Sequence, residues 1–430
     1  MPLLRILPRT RAKSLLQRRS VSLENAIQTV APILENVRKQ GDRALLEYAR
    51  QFDNFDRKTP RVSAKECAKA AEALSPAFVK SVRQAAKNIR DFAKQQLPKP
   101  QNGQLGFVVR PLETIAAYIP SGRYPLPSTL LMTTQPAQVA GVKNICATSP
   151  RFVNEIFGTA HLLGIEHTFL LGGAHAIAAF AYGTKTVPKA DRIVGPGNIY
   201  VAAAKKLLAG EVGIDFVAGP TEILIIAADG NPAWLAADLL AQAEHDTDAS
   251  AILLTPSAKL AEAVAEEVDR QLATLPTAEV AKVSIRKNSA VLLVDSLEEA
   301  CELSNQFAPE HLSIPSSRLL KHIQHAGGIF IGPHSPEAAG DYASGPNHVL
   351  PTSGAARLRG GLSAADFVKV ITTQELSAAD LATLAPAVTT LARAEGLEAH
   401  ARSVEIRVPK TLPKSVSKSL SKSLPKKGKA

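Results

Sequence analysis

The sequence predicts an α/β protein with two units, each a mostly parallel β-sheet covered by helices. Short apolar runs that end in Gly or Pro alternate with helical segments of about 10–15 residues, which is the pattern of parallel strands joined by crossover helices. Two such series follow one another along the chain. Alanine is abundant and aromatic residues make up only 5% of the chain, which favours helices packed on sheets through small side chains. A chain of 430 residues can bury a large core and form more than one domain.

The region before the first series is predicted to be helical. Residues 22–50 and 63–96 are predicted as helices because apolar side chains recur at helical spacing, as from Ala26 to Val37. The proline-containing stretch from Gln95 to Gln104 is predicted to be a linker between these helices and the first sheet.

The strands are predicted from apolar runs that end in turn residues. The first series comprises Thr114–Ile119, Val142–Thr148, Thr168–Leu171 and Arg192–Val194. The second series comprises Ile214–Val217, Glu222–Ala227, Ser250–Leu254, Ala290–Val294, His311–Ile314 and Gly328–Ile331. From Gly332 to Gly361 we predict a long loop, and long loops inside compact domains are often functional. A helix over 374–401 and a short strand at Val404–Val408 are predicted to follow.

The net charge of +11 lies at the two ends of the chain. Residues 1–23 carry six basic groups and no acid, and residues 409–430 carry seven lysines and no acid, which leaves residues 24–408 at −2. This distribution argues against a nucleic-acid-binding surface, since no basic stripe interleaved with aromatic residues occurs in between. The lysine tail also contains mainly Ser, Leu and Pro, a composition that predicts disorder.

Three widely spaced cysteines without a Cys-x-x-Cys pair favour a reduced, cytoplasmic setting. No run approaches the roughly 18 apolar residues of a membrane span, so we expect no membrane association. The basic N-terminus has no compact apolar segment followed by a cleavage site, so no secretory signal is expected.

Gln242 and His245 are candidate metal ligands. They lie near the end of a helix predicted to begin at Asn231-Pro232, where Asn is a favoured N-cap and Pro a favoured first residue. Spacing i, i+3 places the amide and the imidazole on one face of the helix. His245 could instead serve only to satisfy carbonyl groups at the end of the helix.

Glu310 and His311 form a candidate acid/base pair at the start of a strand, after Ala308-Pro309. Histidine titrates near neutrality and accepts protons, while glutamate can activate a water molecule. Adjacent residues in an extended segment point to opposite sides, so we expect the two side chains not to act on one another directly. The alternative is an exposed loop glutamate beside a buried histidine.

Asp341 and His348 lie in the predicted long loop, and carboxylate and imidazole are suitable zinc ligands. Asp341 could also be a turn residue after Gly340. Glu395 and His400 lie five residues apart near a predicted helix end, roughly 140° apart around the helix axis. They could reach one site only if the helix ends there.

Two glycine-rich turns could bind a dinucleotide phosphate. Gly195-Pro196-Gly197-Asn198 precedes the helical run Ile199–Ala209, and Gly172-Gly173-Ala174 follows a predicted strand. A turn that leads into a helix N-terminus presents backbone N–H groups to an anion. No Gly-x-Gly-x-x-Gly is present, and a tight α/β turn explains both segments equally well.

Over residues 20 to 408 the chain closely resembles the histidinol dehydrogenase family. Seven strings carry the resemblance: Tyr118-Ile119-Pro120, Gly195–Asn198, Asp215–Glu222 (DFVAGPTE), Gln242–His245, Phe307–Leu312 (FAPEHL), Gly340–Pro351 (GDYASGPNHVLP) and Glu398–His400. The resemblance implies two incomplete Rossmann-like parallel-sheet domains with small helical or extended accessory domains at the N- and C-terminal ends. The corresponding ranges are 1–105 for the N-terminal helical segment and linker, 106–230 and 231–360 for the two Rossmann-like domains, 361–408 for a C-terminal dimerisation segment and 409–430 for the disordered basic tail.

The resemblance also implies the activity, an oxidation of L-histidinol to L-histidine by two NAD⁺ through L-histidinaldehyde, the last steps of histidine biosynthesis. It implies a homodimer with one Zn²⁺ per subunit, bound by Gln242, His245, Asp341 and, from the partner subunit, His400. His311 would be the general base and Glu310 would activate water. The remaining implied contacts are Thr221, His348 and Glu395 to substrate, and Tyr118, Asn198 and His175 to NAD; the four metal ligands and the catalytic pair would also contact substrate.

Two positions depart from the family pattern. The family usually has Ser where Thr221 stands, which preserves the hydroxyl, and Gln where His175 stands, which puts that NAD contact in doubt. Two other functions remain open: a zinc- and NAD-dependent dehydrogenase of another polar alcohol, and a binder of nucleic acid or acidic surfaces through the lysine tail.

Overall fold

The computed structural model describes residues 2–16, 23–217 and 219–408. The predicted disordered tail, residues 409–430, lies outside these residues. In chain order, the strands in the described ranges are β1 (Arg5–Leu7), β2 (Arg61–Val62), β3 (Leu105–Pro111), β4 (Thr114–Tyr118), β5 (Asn144–Ser149), β6 (His167–Leu170), β7 (Arg192–Val194), β8 (Gly213–Ile214), β9 (Glu222–Ile226), β10 (Ser250–Thr255), β11 (Ala290–Leu293), β12 (His311–Ile314), β13 (Gly328–Ile331) and β14 (Val368–Gln374).

The α-helices of the same ranges connect and cover these strands. They are α1 (Ala12–Leu16), α2 (Glu24–Gln40), α3 (Asp42–Phe52), α4 (Ala64–Glu72), α5 (Pro76–Gln95), α6 (Pro127–Ala140), α7 (Asn154–Leu162), α8 (Gly173–Tyr182), α9 (Ile199–Leu208), α10 (Pro232–Ala243), α11 (Ala258–Leu272), α12 (Ala278–Asn288), α13 (Leu297–Phe307), α14 (Glu337–Tyr342), α15 (Ala378–Ala394) and α16 (Glu398–Glu405). Short 3₁₀ helices occur at Arg9–Arg11, Ser317–His322, Ala355–Arg357 and Ala364–Phe367.

The larger of two compact units, residues 1–97 and 111–368, contains two six-stranded sheets. The first sheet has the order β2-β6-β5-β4-β7-β8 and is parallel except for β2, which pairs antiparallel with β6. The second has the order β1-β11-β10-β9-β12-β13 and is parallel throughout. The predicted α/β class with two parallel sheets is therefore confirmed.

Both sheets are buried on both faces, which explains why their central strands are apolar without alternation. In β4, Ile115 and Ala117 contribute to one core cluster, while Ala116 and Tyr118 contribute to the cluster on the opposite face. In β9, all five residues are buried. Helices therefore cover each face, and the ends of the strands are the places where polar side chains can gather.

The smaller unit consists of residues 98–110 and 369–430, and within the described residues it holds the two-stranded sheet β14-β3 with helices α15 and α16. The predicted strand Val404–Val408 is wrong, because α16 extends to Glu405 and a turn follows. An ion pair one turn apart, Arg402 Nε to Glu398 Oε1 at 3.1 Å, supports the helix there.

Each strand of the two predicted series overlaps a strand of the structure, although Ile214–Val217 does so only at Ile214. The predicted helix 22–50 divides into α2 and α3 at Gly41, whose φ of 55° ends the first helix. The predicted loop Gly332–Gly361 contains helix α14. No helix in the described ranges is long and apolar enough to cross a bilayer.

Candidate active site

A hydrogen-bonded chain of three polar side chains lies at the N-terminal ends of β9 and β12. These strands are neighbours, and His311 is in register with Ile223. Thr221, just before β9, donates its hydroxyl hydrogen to Glu310 Oε2 at 2.5 Å. Gln242 Nε2, near the end of α10, donates to the same hydroxyl at 2.7 Å. Thr221 therefore connects Gln242 to Glu310.

Glu310 is a buried carboxylate. Its Oε2 also accepts the backbone N–H of Glu222 at 2.8 Å. Burial raises the pKa of Glu310, although the charge of His311 and the hydrogen bonds from Thr221 and Glu222 oppose this shift. A carboxylate with a raised pKa is suited to removing a proton from a weak acid such as water.

His311 is buried beside Glu310, with Nδ1 3.2 Å from the carbonyl oxygen of Glu222 and 3.7 Å from Glu310 Oε2. The expectation that Glu310 and His311 would not act on one another is wrong. Glu310 precedes the first residue of β12, so the strand alternation that would separate the two side chains does not extend to it.

The surroundings of His311 decide which ring nitrogen keeps its hydrogen when the imidazole is neutral. A carbonyl oxygen can only accept, so Nδ1 carries the hydrogen and donates it to Glu222. Nε2 then faces Asp341, whose Oδ1 lies 3.4 Å away. Burial lowers the pKa of His311, but the charges and hydrogen bonding of Glu310, Asp341 and Glu337 outweigh it and raise the pKa to about 10.

Asp341 lies on α14, a helix inside the segment predicted as a loop. Burial alone would raise the pKa of Asp341, but hydrogen bonding and charge from His311, together with His348 and His245, lower it overall. His348 Nδ1 donates to the backbone oxygen of Asp341 at 2.8 Å, and its Nε2 lies 3.4 Å from the Thr129 hydroxyl. Burial lowers the pKa of His348, although the charge of Asp341 and the hydrogen bond to its backbone oppose this shift.

A cavity of about 600 Å³ opens beside these residues and is large enough for a small metabolite. Its polar lining includes Asp341 and His348, and Phe330 contributes an apolar wall that also packs against the His311 ring. The structure thus brings together Thr221, Gln242, Glu310, His311, Asp341 and His348.

The remaining predicted site residues, the metal ligands His245 and His400 and the substrate contact Glu395, are less enclosed. His245 is exposed just beyond α10, and its charge acts on Asp341. Glu395 and His400 are exposed on the smaller unit. In the part of the chain that the structure describes, no group of three or more His, Cys, Asp or Glu side chains is arranged to hold a metal ion.

Sequence reasoning missed Glu337, which lies one turn before Asp341 on α14. Its side chain is buried, and Oε2 has no hydrogen-bond partner among the described residues. Burial raises the pKa of Glu337 well above its usual value. Sequence reasoning also missed Asp238 on α10. Burial raises the pKa of this carboxyl group to about 6. The i, i+4 spacing of Glu337 and Asp341 in EAAGD was the available signal, but the loop prediction concealed it.

The predicted NAD contacts lie at the carboxyl ends of the first sheet. Asn198 caps α9, and its Oδ1 accepts the N–H groups of Tyr200 and Val201, both at 3.1 Å. Asn198 itself is exposed. The hydroxyl of Tyr118 accepts the N–H of Gly173 at 3.2 Å, and burial raises the pKa of Tyr118 to about 12.

His175 is 1% exposed, which leaves no surface for a ligand in this structure. Its Nε2 lies 2.9 Å from Asp53 Oδ2, which also accepts the N–H of Gly172 at 2.7 Å. The N–H groups of Gly172 and Gly173 therefore bond within the protein, to Asp53 and Tyr118 respectively. The interpretation of Gly172-Gly173-Ala174 as a tight α/β turn fits this geometry better than that of a phosphate site.

Two mostly parallel sheets covered by helices and a buried Glu–His–Asp cluster beside a small cavity are typical of an α/β enzyme with an acid/base site. The histidinol dehydrogenase family profile matches residues 16–408. A histidinol dehydrogenase from Halalkalibacterium halodurans is 46% identical over 413 residues, covering 90% of this chain and 97% of its own. One from Synechococcus sp. is 47% identical, covering 88% and 91%. The chain belongs to the histidinol dehydrogenase family.

A solved structure agrees with this assignment. The crystal structure of histidinol dehydrogenase from Elizabethkingia anophelis has a TM-score of 0.89 and 36% sequence identity, and the match covers 98% of this chain and 99% of that one. The sequence-based prediction of the family is therefore confirmed.

Proposed function

We propose that this protein oxidises L-histidinol to L-histidine through L-histidinaldehyde, with two NAD⁺ as hydride acceptors, in the last steps of histidine biosynthesis. Membership of the family supports the reaction. The single structural observation that carries it is the buried array in which Thr221 binds Glu310 and His311 lies between Glu310 and Asp341. This array supplies one base for the alcohol and one carboxylate for water.

In the first oxidation, the neutral form of His311 accepts the hydroxyl proton of histidinol at Nε2 as the C–H hydrogen leaves with its electron pair as hydride. The backbone oxygen of Glu222 holds Nδ1 and so keeps Nε2 directed at the site. Bound NAD⁺ would supply the hydride acceptor.

In the second oxidation, Glu310 removes a proton from water as the water oxygen bonds to the aldehyde carbon. The protonated His311 returns its proton to the carbonyl oxygen, which gives the hydrate and restores a neutral imidazole. His311 accepts the hydroxyl proton of the hydrate while a second hydride leaves, so the same base works twice. The products are the carboxylate of histidine, two NADH and the released protons. Hydrogen bonds from Thr221 and Glu222 keep Glu310 in one orientation throughout.

Gln242, His245, Asp341 and, from a second copy, His400 are proposed to hold one Zn²⁺ per subunit. The donor set fits: the amide nitrogen of Gln242 is used by Thr221, which leaves the amide oxygen as the ligating atom. Because one ligand is an amide and another comes from a second copy, a single chain would contribute only His245 and Asp341 from the His, Cys, Asp and Glu types to each site. This agrees with the absence of a group of three such side chains among the described residues. Bound zinc would supply an orienting template for the amine and imidazole nitrogens of the substrate.

Further contacts complete the proposal. His348 and Glu395, together with Thr221, would contact histidinol, and Tyr118 and Asn198 would contact NAD. His175 would act on NAD only through the Asp53 and glycine-turn contacts described above, because its side chain is buried.

A homodimer is supported by the smaller unit, where large apolar side chains are exposed in the single chain. They include Val370, Ile371, Leu384, Leu391, Leu397 and Ile406. Exposed apolar patches of this kind mark protein interfaces. The exposure of Glu395 and His400 fits side chains that complete a partner's site.

A cytoplasmic location fits a biosynthetic reaction that consumes NAD⁺.

The test is the yield of NADH from purified protein and limiting L-histidinol, with and without a zinc chelator. Two NADH per histidinol, lost on chelation, are expected; one NADH, or turnover of other polar alcohols at a similar rate, would favour an ordinary alcohol dehydrogenase. His161→Asn, at an exposed position on α7, is the matched control for His311→Asn.

Removal of residues 410–430 should leave turnover unchanged, whereas a tail-driven binder of nucleic acid would lose its main function.

A further inference from the structure

A buried ion pair lies beside the proposed cofactor turn. Lys205 is on α9 and Asp215 follows β8, and their side chains are 2% and 0% exposed. Lys205 Nζ donates to Asp215 Oδ1. Lysine and aspartate are almost never this buried unless they are paired, so the pair is a built feature of the first sheet.

The ion pair binds both backbone polar groups of Gly195. The N–H of Gly195 donates to Asp215 Oδ2 at 2.7 Å, and Lys205 Nζ donates to the carbonyl oxygen of Gly195 at 3.0 Å. Gly195 has a φ of 106°, and a Cβ there would lie 2.3 Å from the backbone oxygen of Tyr118. The turn between β7 and α9 is thereby held against the end of β4.

Stability alone does not account for these charges. Burying two ions costs solvation that their attraction only partly repays, and apolar pairs of similar size are often as stable or more stable. What an ion pair adds is direction, because each hydrogen bond fixes an orientation. Asp215 Oδ1 also accepts the N–H of Phe216 at 2.7 Å, so one carboxylate orients two backbone segments.

We propose that the Lys205–Asp215 ion pair positions the turn Gly195–Asn198 for NAD⁺, so that cofactor affinity depends on the pair while histidinol affinity does not. The inference rests on the proposed function, in which Asn198 and Tyr118 contact NAD. Lys205 and Asp215 are positioning residues, since the hydrogen bonds of their side chains, among the described residues, are with one another and with backbone.

Residues that follow Asp215 on the substrate side, Gly219 and Thr221, are held by hydrogen bonds of their own. We therefore expect loss of the ion pair to weaken the binding of NAD⁺ but not that of histidinol. The N–H of Gly219 donates to Thr352 Oγ1 at 2.6 Å, and Thr221 is fixed by Glu310 and Gln242. Loss of the ion pair therefore releases the Gly195 turn without releasing Thr221.

The test uses the zinc-loaded full chain with Lys205→Met, Asp215→Asn and the double variant. Dissociation of NADH is measured by fluorescence, and KM is measured for NAD⁺ and for histidinol. We expect the dissociation constant of NADH and the KM for NAD⁺ to rise about tenfold or more, with zinc content and the KM for histidinol within about twofold of the wild type. A tenfold change corresponds to about 1.4 kcal/mol, the scale of a hydrogen bond to a charged group.

Val268→Ala, at a fully buried position on α11 in the second-sheet core, is the control for a general loss of stability. It should lower the melting temperature without changing NADH affinity. Unchanged NADH binding in the ion-pair variants, equal losses for NAD⁺ and histidinol, or failure of all three variants to fold would each overturn the inference. If the wild type itself neither binds NADH nor oxidises histidinol, the proposed function fails instead.

Discussion

Replacing Thr221 by Val tests the link between Glu310 and Gln242. The Thr221 hydroxyl donates to Glu310 over 2.5 Å and accepts from Gln242 over 2.7 Å. Valine has nearly the shape of threonine but can make neither hydrogen bond. A hydrogen bond to a charged group contributes about 1.5–3 kcal/mol. At about 1.4 kcal/mol per tenfold change, its loss from the transition state lowers kcat/KM by about ten- to 150-fold.

The loss should fall mainly on the second oxidation, because Glu310 activates the water that attacks the aldehyde. Turnover is therefore measured with histidinol and, separately, with histidinaldehyde as the starting substrate. Thr221→Ser is the matched control, since it retains the hydroxyl, and it should stay within about threefold of the wild type on the scale of a weakly altered hydrogen bond.

The pH dependence of the aldehyde reaction provides a second test of Thr221→Val, because the direction in which the acidic limb moves can be predicted. Burial raises the pKa of Glu310, and the Thr221 hydrogen bond opposes that shift, so valine should raise the pKa further. The carboxylate is then lost at a higher pH on acidification, and the acidic limb of the aldehyde reaction moves upward. Valine and serine variants with equal kcat/KM for the aldehyde, or a limb that moves to lower pH, would refute the role given to Thr221.

The other predictions concern the base and the metal ligands. His311→Asn should abolish turnover while zinc, measured by elemental analysis, stays bound; normal turnover would show that another group is the base. His245→Asn should lower zinc content and histidinol affinity together, and an unchanged zinc stoichiometry would exclude His245 as a ligand. In the metal-free protein, where nearby carboxylates raise the pKa of His311 to about 10, the protonated imidazole should persist through neutral pH by NMR. Its stabilising contribution should be complete below pH about 6.5 and lost as the pH rises through about 10, because the folded state binds the proton more tightly. Asp341→Asn should lower this pKa, and an unchanged titration would contradict the charge attribution.

The central strands of both sheets could be predicted because burial on both faces requires continuous apolar runs, as in Glu222–Ile226. The short edge strands Arg5–Leu7 and Arg61–Val62 could not, since two or three residues carry no readable period. The strand predicted at Val404–Val408 failed because local ion pairing and helix continuation prevailed over an alternating apolar pattern.

For the site, the sequence alone determined the chemical groups and the family, through strings such as FAPEHL and GDYASGPNHVLP. Only the tertiary structure decided which groups meet. Pairing of β9 with β12 brings Thr221 to Glu310 although they lie 89 residues apart, and packing brings His311 to Asp341. Buried charges acquire shifted pKa values from such neighbours, and those neighbours are distant in the chain, so no local pattern could reveal them.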